Sequence, residues 1–245
     1  MTSIKDKTAE ALMDYWKANR NLARFLAVAK HMLVSSNSRP EIRGEMCEVV
    51  LEILLREFIR KNNLKEKGWF LVRGLILNDP ERPNSEYLTE LDLTLFTPKL
   101  IYAFECKSYK GSKVLKDECS IYLKNKDICK KKFDVYSQHK KHFVCLHKHL
   151  HHNLINVDKD TKPYKLVLFD FSDGSLEDLR EEKYKKIFPS VNPKTLTTLF
   201  SNYNSKRDNW DVKGVRREVL CLLEDKKNKT VDHLKYVTSL NHGNS

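Results

Sequence analysis

Apolar residues recur at helical spacing in the first quarter of the chain. Leu12, Tyr15, Trp16, Leu22, Phe25, Leu26 and Ala29 predict one or two helices over residues 9–34. The turn-rich stretch Ser35-Ser36-Asn37-Ser38-Arg39-Pro40 breaks the pattern. A further helix is predicted from about Glu41 to Lys61, with Val49, Val50, Ile53, Leu54 and Phe58 as its buried stripe. The period changes at Gly68. Trp69 to Leu77 is β-branched and apolar and predicts a strand, and the following loop, Asn78 to Ser85, contains Asp79-Pro80 and Arg82-Pro83. Leu91 to Phe96 alternates as a half-buried strand does. Thr97-Pro98-Lys99 is a tight turn, and Leu100 to Cys106 is the return strand of a hairpin.

The next segment is dense in lysine and reads as mostly helical, most firmly over Val135 to Leu150. Tyr164 to Phe171 predicts a strand buried on both faces. Lys194 to Tyr203 and Val215 to Leu223 are helical candidates, and the polar tail after Asp225 is expected to fray. The order predicts an α/β or α+β fold, a central mixed β-sheet flanked by helices. The expected division is a helical N-terminal extension at 1–40, a core at 41–185 and a helical C-terminal region at 186–245.

Charge adds a partner to this picture. The net charge is +12, and between Lys107 and His152 twelve lysines face only four acids. Such a concentrated excess fits a polyanion, although a solvated face would carry the same residues. No apolar run approaches the roughly 20 residues of a membrane span. The charged residues Met1 to Lys7 do not resemble a secretory signal, and the six cysteines are scattered without a CxxC pair. Together these suggest a cytoplasmic protein with reduced thiols.

The candidate chemistry lies on the hairpin. An acid-x-Lys triplet occurs six times in the chain, but only Glu105-Cys106-Lys107 ends an apolar strand whose partner carries its own acid, Asp92. Alternation points Glu105 and Lys107 the same way. A turn centred on Pro98-Lys99 sets residue 92 across from about residue 105, with Cβ atoms about 5 Å apart. Two carboxylates that close repel unless a cation separates them. Mg²⁺, with Mn²⁺ as an alternative, takes carboxylate, water and phosphate oxygens, and the Cys106 carbonyl is a further oxygen donor. Such an ion polarises a phosphoryl group, and a neighbouring lysine orients water or offsets developing charge. An ordinary surface ion pair at a hairpin end would use the same residue types.

The stretch Thr89 to Lys99 (TELDLTLFTPK) followed by Phe104 to Gly111 (FECKSYKG) resembles the nuclease-related domain family of the PD-(D/E)xK nuclease superfamily. Gly44-Glu45 is similar to the pair that opens the family's first helix, and Gln138 with His142 resembles its later helical motif. The resemblance implies a restriction-endonuclease-like fold with a metal site. Asp92 and Glu105 would be the ligands, Lys107 the catalytic lysine, Glu45 an added acid and Gln138 a lining residue. Glu48, on the same helical face as Glu45, is the alternative acid. Leu100 departs from the pattern, since family members usually carry Gly there.

The function expected is metal-dependent hydrolysis of phosphodiester bonds, in DNA rather than RNA, by a chain that could pair as a homodimer. Phosphate contacts are expected from Lys110, Lys113, Lys116, Lys130, Lys131 and Lys132. The alternative is a non-catalytic nucleic-acid-binding module on the same fold. His147, His149, His151 and His152 read as a solvated helix end rather than a transition-metal site. Trp16, Trp69 and Trp210 read as packing residues, and Asp170 to Gly174 as a strand end and turn.

Overall fold

The computed structural model describes residues 4–35, 40–78, 88–125, 128–152, 164–201 and 212–224. The expected turn at 36–39, most of the loop after Asn78, Trp210 and the tail beyond Asp225 lie outside the described residues. The architecture is α+β, with mixed sheets flanked by helices. The chain forms two compact units. The first comprises Met1–Asn63, Glu105–Tyr136 and Leu166–Tyr203, and the second Leu64–Phe104, Ser137–Lys165 and Asn204–Ser245.

In the first unit, α1 (Ile4–Asn19), α2 (Leu22–Ser35) and α3 (Pro40–Lys61) pack on one another. Leu12 and Trp16 are one turn apart on α1, and Phe25, Ala29 and Leu33 mark successive turns of α2; all five are buried. The rings of Trp16 and Phe25 meet edge to face at 5.7 Å. Helix α3 is buried over far more than the predicted stripe, including Arg43, Glu45, Glu52 and Glu57. Glu52 and Glu57 are held by Arg56 and Arg60 from the next turn, each at 2.8 Å.

The lysine-rich segment corrects the helical expectation. It forms β4 (Lys113–Lys116), β5 (Ser120–Asn125) and β6 (Ile128–Asp134) before α4 (Val135–His152) begins. With β8 (Leu176–Asp178) these strands make a four-stranded sheet in the order β6-β5-β4-β8, antiparallel except for the parallel pair β4–β8. The apolar signal is short but real. Leu115, Cys119 and Ile121 are buried with Val135, Leu168 and Phe188 in one cluster. Asp117 turns the chain between β4 and β5 with φ 55° and accepts a hydrogen bond from the Tyr122 hydroxyl at 2.8 Å.

Arg180, 3% exposed, locks the far edge of this unit. Its guanidinium grips Asp178 with two bonds, of 2.8 and 2.6 Å, and donates to the carbonyls of Phe188 and Glu118. Burial pushes the Asp178 carboxyl up, but the Arg180 guanidinium and the Ser190 hydroxyl outweigh it and leave the group below its ordinary value of 3.8. A depressed folded value means stability that is present above the unfolded pKa and lost as pH falls through the folded one. Denaturant midpoints should therefore drop below about pH 4, and Asp178→Asn should flatten that part of the profile. An unaltered acid limb in the variant would show that the carboxylate is not the group titrating.

The second unit is built on the antiparallel meander of β1 (Phe70–Asn78), β2 (Leu88–Phe96) and β3 (Ile101–Lys107), the last leaving the unit after Phe104. These strands precede β7 (Tyr164–Asp170) and β9 (Ser190–Val191) in a five-stranded sheet of order β1-β2-β3-β7-β9. Phe70 pairs with Phe96, and their rings stack at 4.5 Å. The β2–β3 turn contains no positive-φ residue, so Leu100 needs no glycine. Thr97 closes it instead. Its hydroxyl accepts from Leu100 N at 3.0 Å, and its backbone N–H donates to the Leu100 carbonyl at 3.1 Å. The pairs run from Phe96↔Ile101 to Leu93↔Phe104, the register that a turn centred on Pro98-Lys99 requires.

Where a helix was predicted at Lys194 to Tyr203, the described residues hold a 3-10 helix, Leu196–Phe200; Phe200 stacks on Phe58 at 4.8 Å. A short helix, α5 (Glu182–Ile187), precedes it, and α6 (Val212–Glu224) contacts β1.

Candidate active site

In the first unit, Glu105 and Lys107 stand at the end of β3, two residues apart and so on the same side. The Lys107 ammonium donates to Glu105 Oε1 at 2.6 Å, with the glutamate side chain 2% exposed and the lysine 18%. Lys107 Nζ also lies 4.9 Å from the centre of the Phe133 ring. This is a charge-assisted pair removed from water, not a surface pair with its weak, solvent-screened energetics. The neighbouring Tyr109 hydroxyl has its pKa raised by burial, with the Lys107 charge opposing and the Glu105 charge reinforcing the shift.

The backbone under these side chains is held on several sides. Arg43 Nε donates to the Ser108 carbonyl at 2.9 Å, and Cys47 Sγ lies 3.6 Å from the Lys107 carbonyl. Phe171 N donates back to the Lys107 carbonyl at 3.3 Å, and Ser108 Oγ donates to the Phe171 carbonyl at 2.6 Å. Arg43 and Cys47, one turn apart on α3, flank Glu45, which is buried; Glu48 is half-buried. Sequence reasoning missed Arg43 and Cys47, because neither residue type signals a clamp on a distant strand.

Asp173 extends the clamp. It accepts from Gly111 N at 3.0 Å and from Arg43 Nη2 at 3.3 Å. Gly174 approaches Gly111 so closely that a Cβ there would overlap the Gly111 carbonyl, so glycine is required on steric grounds. The stretch Asp170 to Gly174 is thus a strand end and turn that also ties the β3–β4 connection down.

In the second unit, Asp92 lies half-buried on β2, and Gln138 half-buried on α4. His139 and His142, the second one turn on, are buried with ring centroids 6.0 Å apart. His139 Nε2 lies 2.8 Å from the Ala103 carbonyl on β3. A carbonyl only accepts, so that nitrogen carries the proton, and a neutral ring has its lone pair on Nδ1. His139 was not singled out from the sequence. His147 and His149 do not lie on a solvated helix end. His149 is buried with Nε2 2.9 Å from the Asn78 carbonyl, and His147 Nδ1 lies 3.0 Å from the Tyr164 hydroxyl. Burial raises the pKa of that hydroxyl.

The six lysines expected to meet phosphate divide. Lys110, Lys130, Lys131 and Lys132 are exposed, and Lys116 is half-buried with its ammonium 5.5 Å from the Tyr122 ring centre. Lys113 is the correction. It is 1% exposed, and its ammonium donates to the carbonyls of Tyr109 and Gly111 and to the Ser172 hydroxyl. It also lies 3.5 Å from Asp170, so it has no face to offer a phosphate. The 130–132 cluster is not a single face. Strand alternation sets Lys130 and Lys131 on opposite sides, and the pairing jumps from Tyr122↔Lys131 to Ile121↔Phe133, passing over Lys132.

No helix among the described residues is long and apolar enough to cross a membrane. The model of one protein family, the nuclease-related domain, matches residues 43–169, which span both the hairpin motifs and the Gln138 helix. No curated protein and no solved structure matches the chain significantly.

Proposed function

Because the chain belongs to the nuclease-related domain family, we propose that it is a metal-dependent nuclease that hydrolyses phosphodiester bonds in DNA. The observation that carries this reading is the buried Glu105–Lys107 pair at the end of β3, inside the matched segment. Removing a carboxylate from water is costly unless cations surround it. Lys107 supplies one, and a divalent ion is the natural second.

The residues fit such an ion by their chemistry. As residue types, the carboxylates of Asp92 and Glu105 and the Cys106 carbonyl are hard oxygen donors, and the imidazoles of His139 and His142 are nitrogen donors suited to a divalent ion. On this reading Asp92 lies across from about Glu105, as counting outward from a turn centred on Pro98-Lys99 would have it. Imidazole donors extend the choice from Mg²⁺ to Mn²⁺. When bound, the ion would polarise the phosphoryl oxygen and acidify a water. Lys107 would orient the attacking water or offset charge gathering on the phosphate. Glu45 on α3, with Glu48 as the alternative, and Gln138 on α4 are the accessory residues of this reading.

Cleavage of plasmid and of single-stranded DNA that requires Mg²⁺ or Mn²⁺ and stops with chelator is the result expected. Salt-sensitive binding without cleavage would instead make the chain a non-catalytic nucleic-acid-binding module. The exposed lysines of β6 favour an anionic partner under either reading, though lysines on an edge strand also prevent sheets from joining.

Lys130→Ala, Lys131→Ala and Lys132→Ala together decide between those roles. Each phosphate contact on duplex DNA contributes about −0.9 to the slope of log affinity against log salt. With the side chains divided between two faces, the triple variant should flatten the slope by about one to two contacts' worth and weaken all sequences alike. An unchanged slope removes β6 from the interface.

A further inference from the structure

A cavity of about 560 Å³ opens in the first unit between α2, the end of β7, the turn into β8 and the Asn192–Lys194 segment. That volume suits a small organic ligand. Its walls are largely apolar, with Leu26, Leu176 and Pro193 on the sides and Phe171, 6% exposed, among the lining residues.

The polar groups are unequally distributed. The lining acid, Asp170, is already engaged. It is 7% exposed, accepts from the Ser172 hydroxyl at 2.9 Å and faces the buried Lys113 ammonium at 3.5 Å. The donors are not used up. Lys30, whose ammonium lies 6.0 Å from the Phe171 ring centre, gives a hydrogen bond to the Ser172 carbonyl, and an ammonium has three to give. Lys194 is exposed at the rim. Asn192 spends its side-chain oxygen on the backbone N–H groups of Lys194 and Thr195, so its amide NH₂ is the end left for a ligand. With Asp170 neutralised by Lys113, the lining carries two positive charges over an apolar, aromatic-containing pocket.

We propose that this cavity binds a small organic phosphate with a flat apolar body, of the size of a nucleoside monophosphate. Lys30 and Lys194 meet the phosphate as point charges, Asn192 adds a directional donor, and the body of the ligand lies against the apolar wall that includes Phe171. The proposal does not rest on the nuclease reading.

Isothermal titration of the full chain with adenosine monophosphate tests it, with adenosine, inorganic phosphate and benzoate as separate probes. Saturable one-to-one binding is expected, at least about tenfold tighter than any of the three controls, a gap of roughly 1.4 kcal/mol. Ala27→Trp, at an exposed lining position, fills the cavity, and Lys194→Glu reverses a rim charge. Each should weaken the nucleotide about tenfold or more without lowering the melting temperature. Glu105→Gln should leave the affinity unchanged, which separates this cavity from the proposed nuclease site. No saturable binding at millimolar nucleotide overturns the proposal, as does binding that Ala27→Trp leaves intact. Phosphate alone binding as tightly as the nucleotide removes the organic body from it, and equal binding of benzoate removes the phosphate.

Discussion

Glu105→Gln should lower metal-dependent DNA cleavage by about 10²–10³-fold while leaving the protein folded. Glutamine keeps the volume and one carbonyl oxygen, so the Lys107 ammonium still has an acceptor where it now bonds Glu105 at 2.6 Å. What disappears is the charge, on a side chain only 2% exposed, and with it the main reason for a divalent ion to bind there. Lys107→Met should leave ion binding in place and remove the group that aligns water or offsets phosphate charge, again at about 10²-fold or more. Initial rates of plasmid nicking in Mg²⁺ and in Mn²⁺, with circular dichroism melts as the folding control, measure both. Wild-type cleavage by a folded Glu105→Gln variant would end the assignment of this residue as a metal ligand.

Lys113→Ala should destabilise the protein strongly, by about 3–5 kcal/mol. The ammonium is 1% exposed, and burial lowers its pKa while the Asp170 charge pulls it back up. Alanine would leave three acceptors without their donor: the Tyr109 and Gly111 carbonyls and the Ser172 hydroxyl oxygen. It would also strand the Asp170 carboxylate, which burial already drives toward its protonated form. Adding Asp170→Asn should recover part of the loss, because the uncompensated charge is then gone and only hydrogen bonds are missing. Urea unfolding of the single and double variants reads the difference. A single-variant cost under about 1 kcal/mol would place the ammonium among solvated surface lysines.

Lys113 also shows where sequence reasoning stops. It sits in a run of lysines that look alike, and nothing within a few residues separates it from Lys110 or Lys116. Its partners Asp170 and Ser172 come from almost sixty residues away, and only the folded chain puts that carboxylate within 3.5 Å. The same reason explains Arg43. It reads as a helix-terminal charge, and the structure makes it the clamp between Ser108 and Asp173.

The strands β4 to β6 were hidden by composition. Lysines are interleaved through them, so the buried apolar residues are few, Val114, Leu115 and Ile121, among charges that a helix would equally accept. Tertiary burial of those few residues decides the strand. The helix α3 was legible, but its extent of burial was not. A one-sided stripe predicts one neighbour, whereas acids such as Glu52 and Glu57 are covered despite their polarity.

Elements set by short-range chemistry are legible in the amino-acid order alone. The hairpin of β2 and β3 is one, since Thr97, Pro98 and Lys99 define a turn whose register follows by counting. The motif that places Glu105 and Lys107 on one side of a strand is another, because alternation is a local property. The long helices followed from period alone. The environment of those residues could not be read in the same way. That Lys107 bonds Glu105 out of water, that Lys113 is interior while Lys130 to Lys132 are exposed, and that a donor-rich cavity forms beside Phe171 all depend on contacts between distant segments. Burial and pairing are properties of what packs against a residue, and no residue carries that information in its own neighbourhood along the chain.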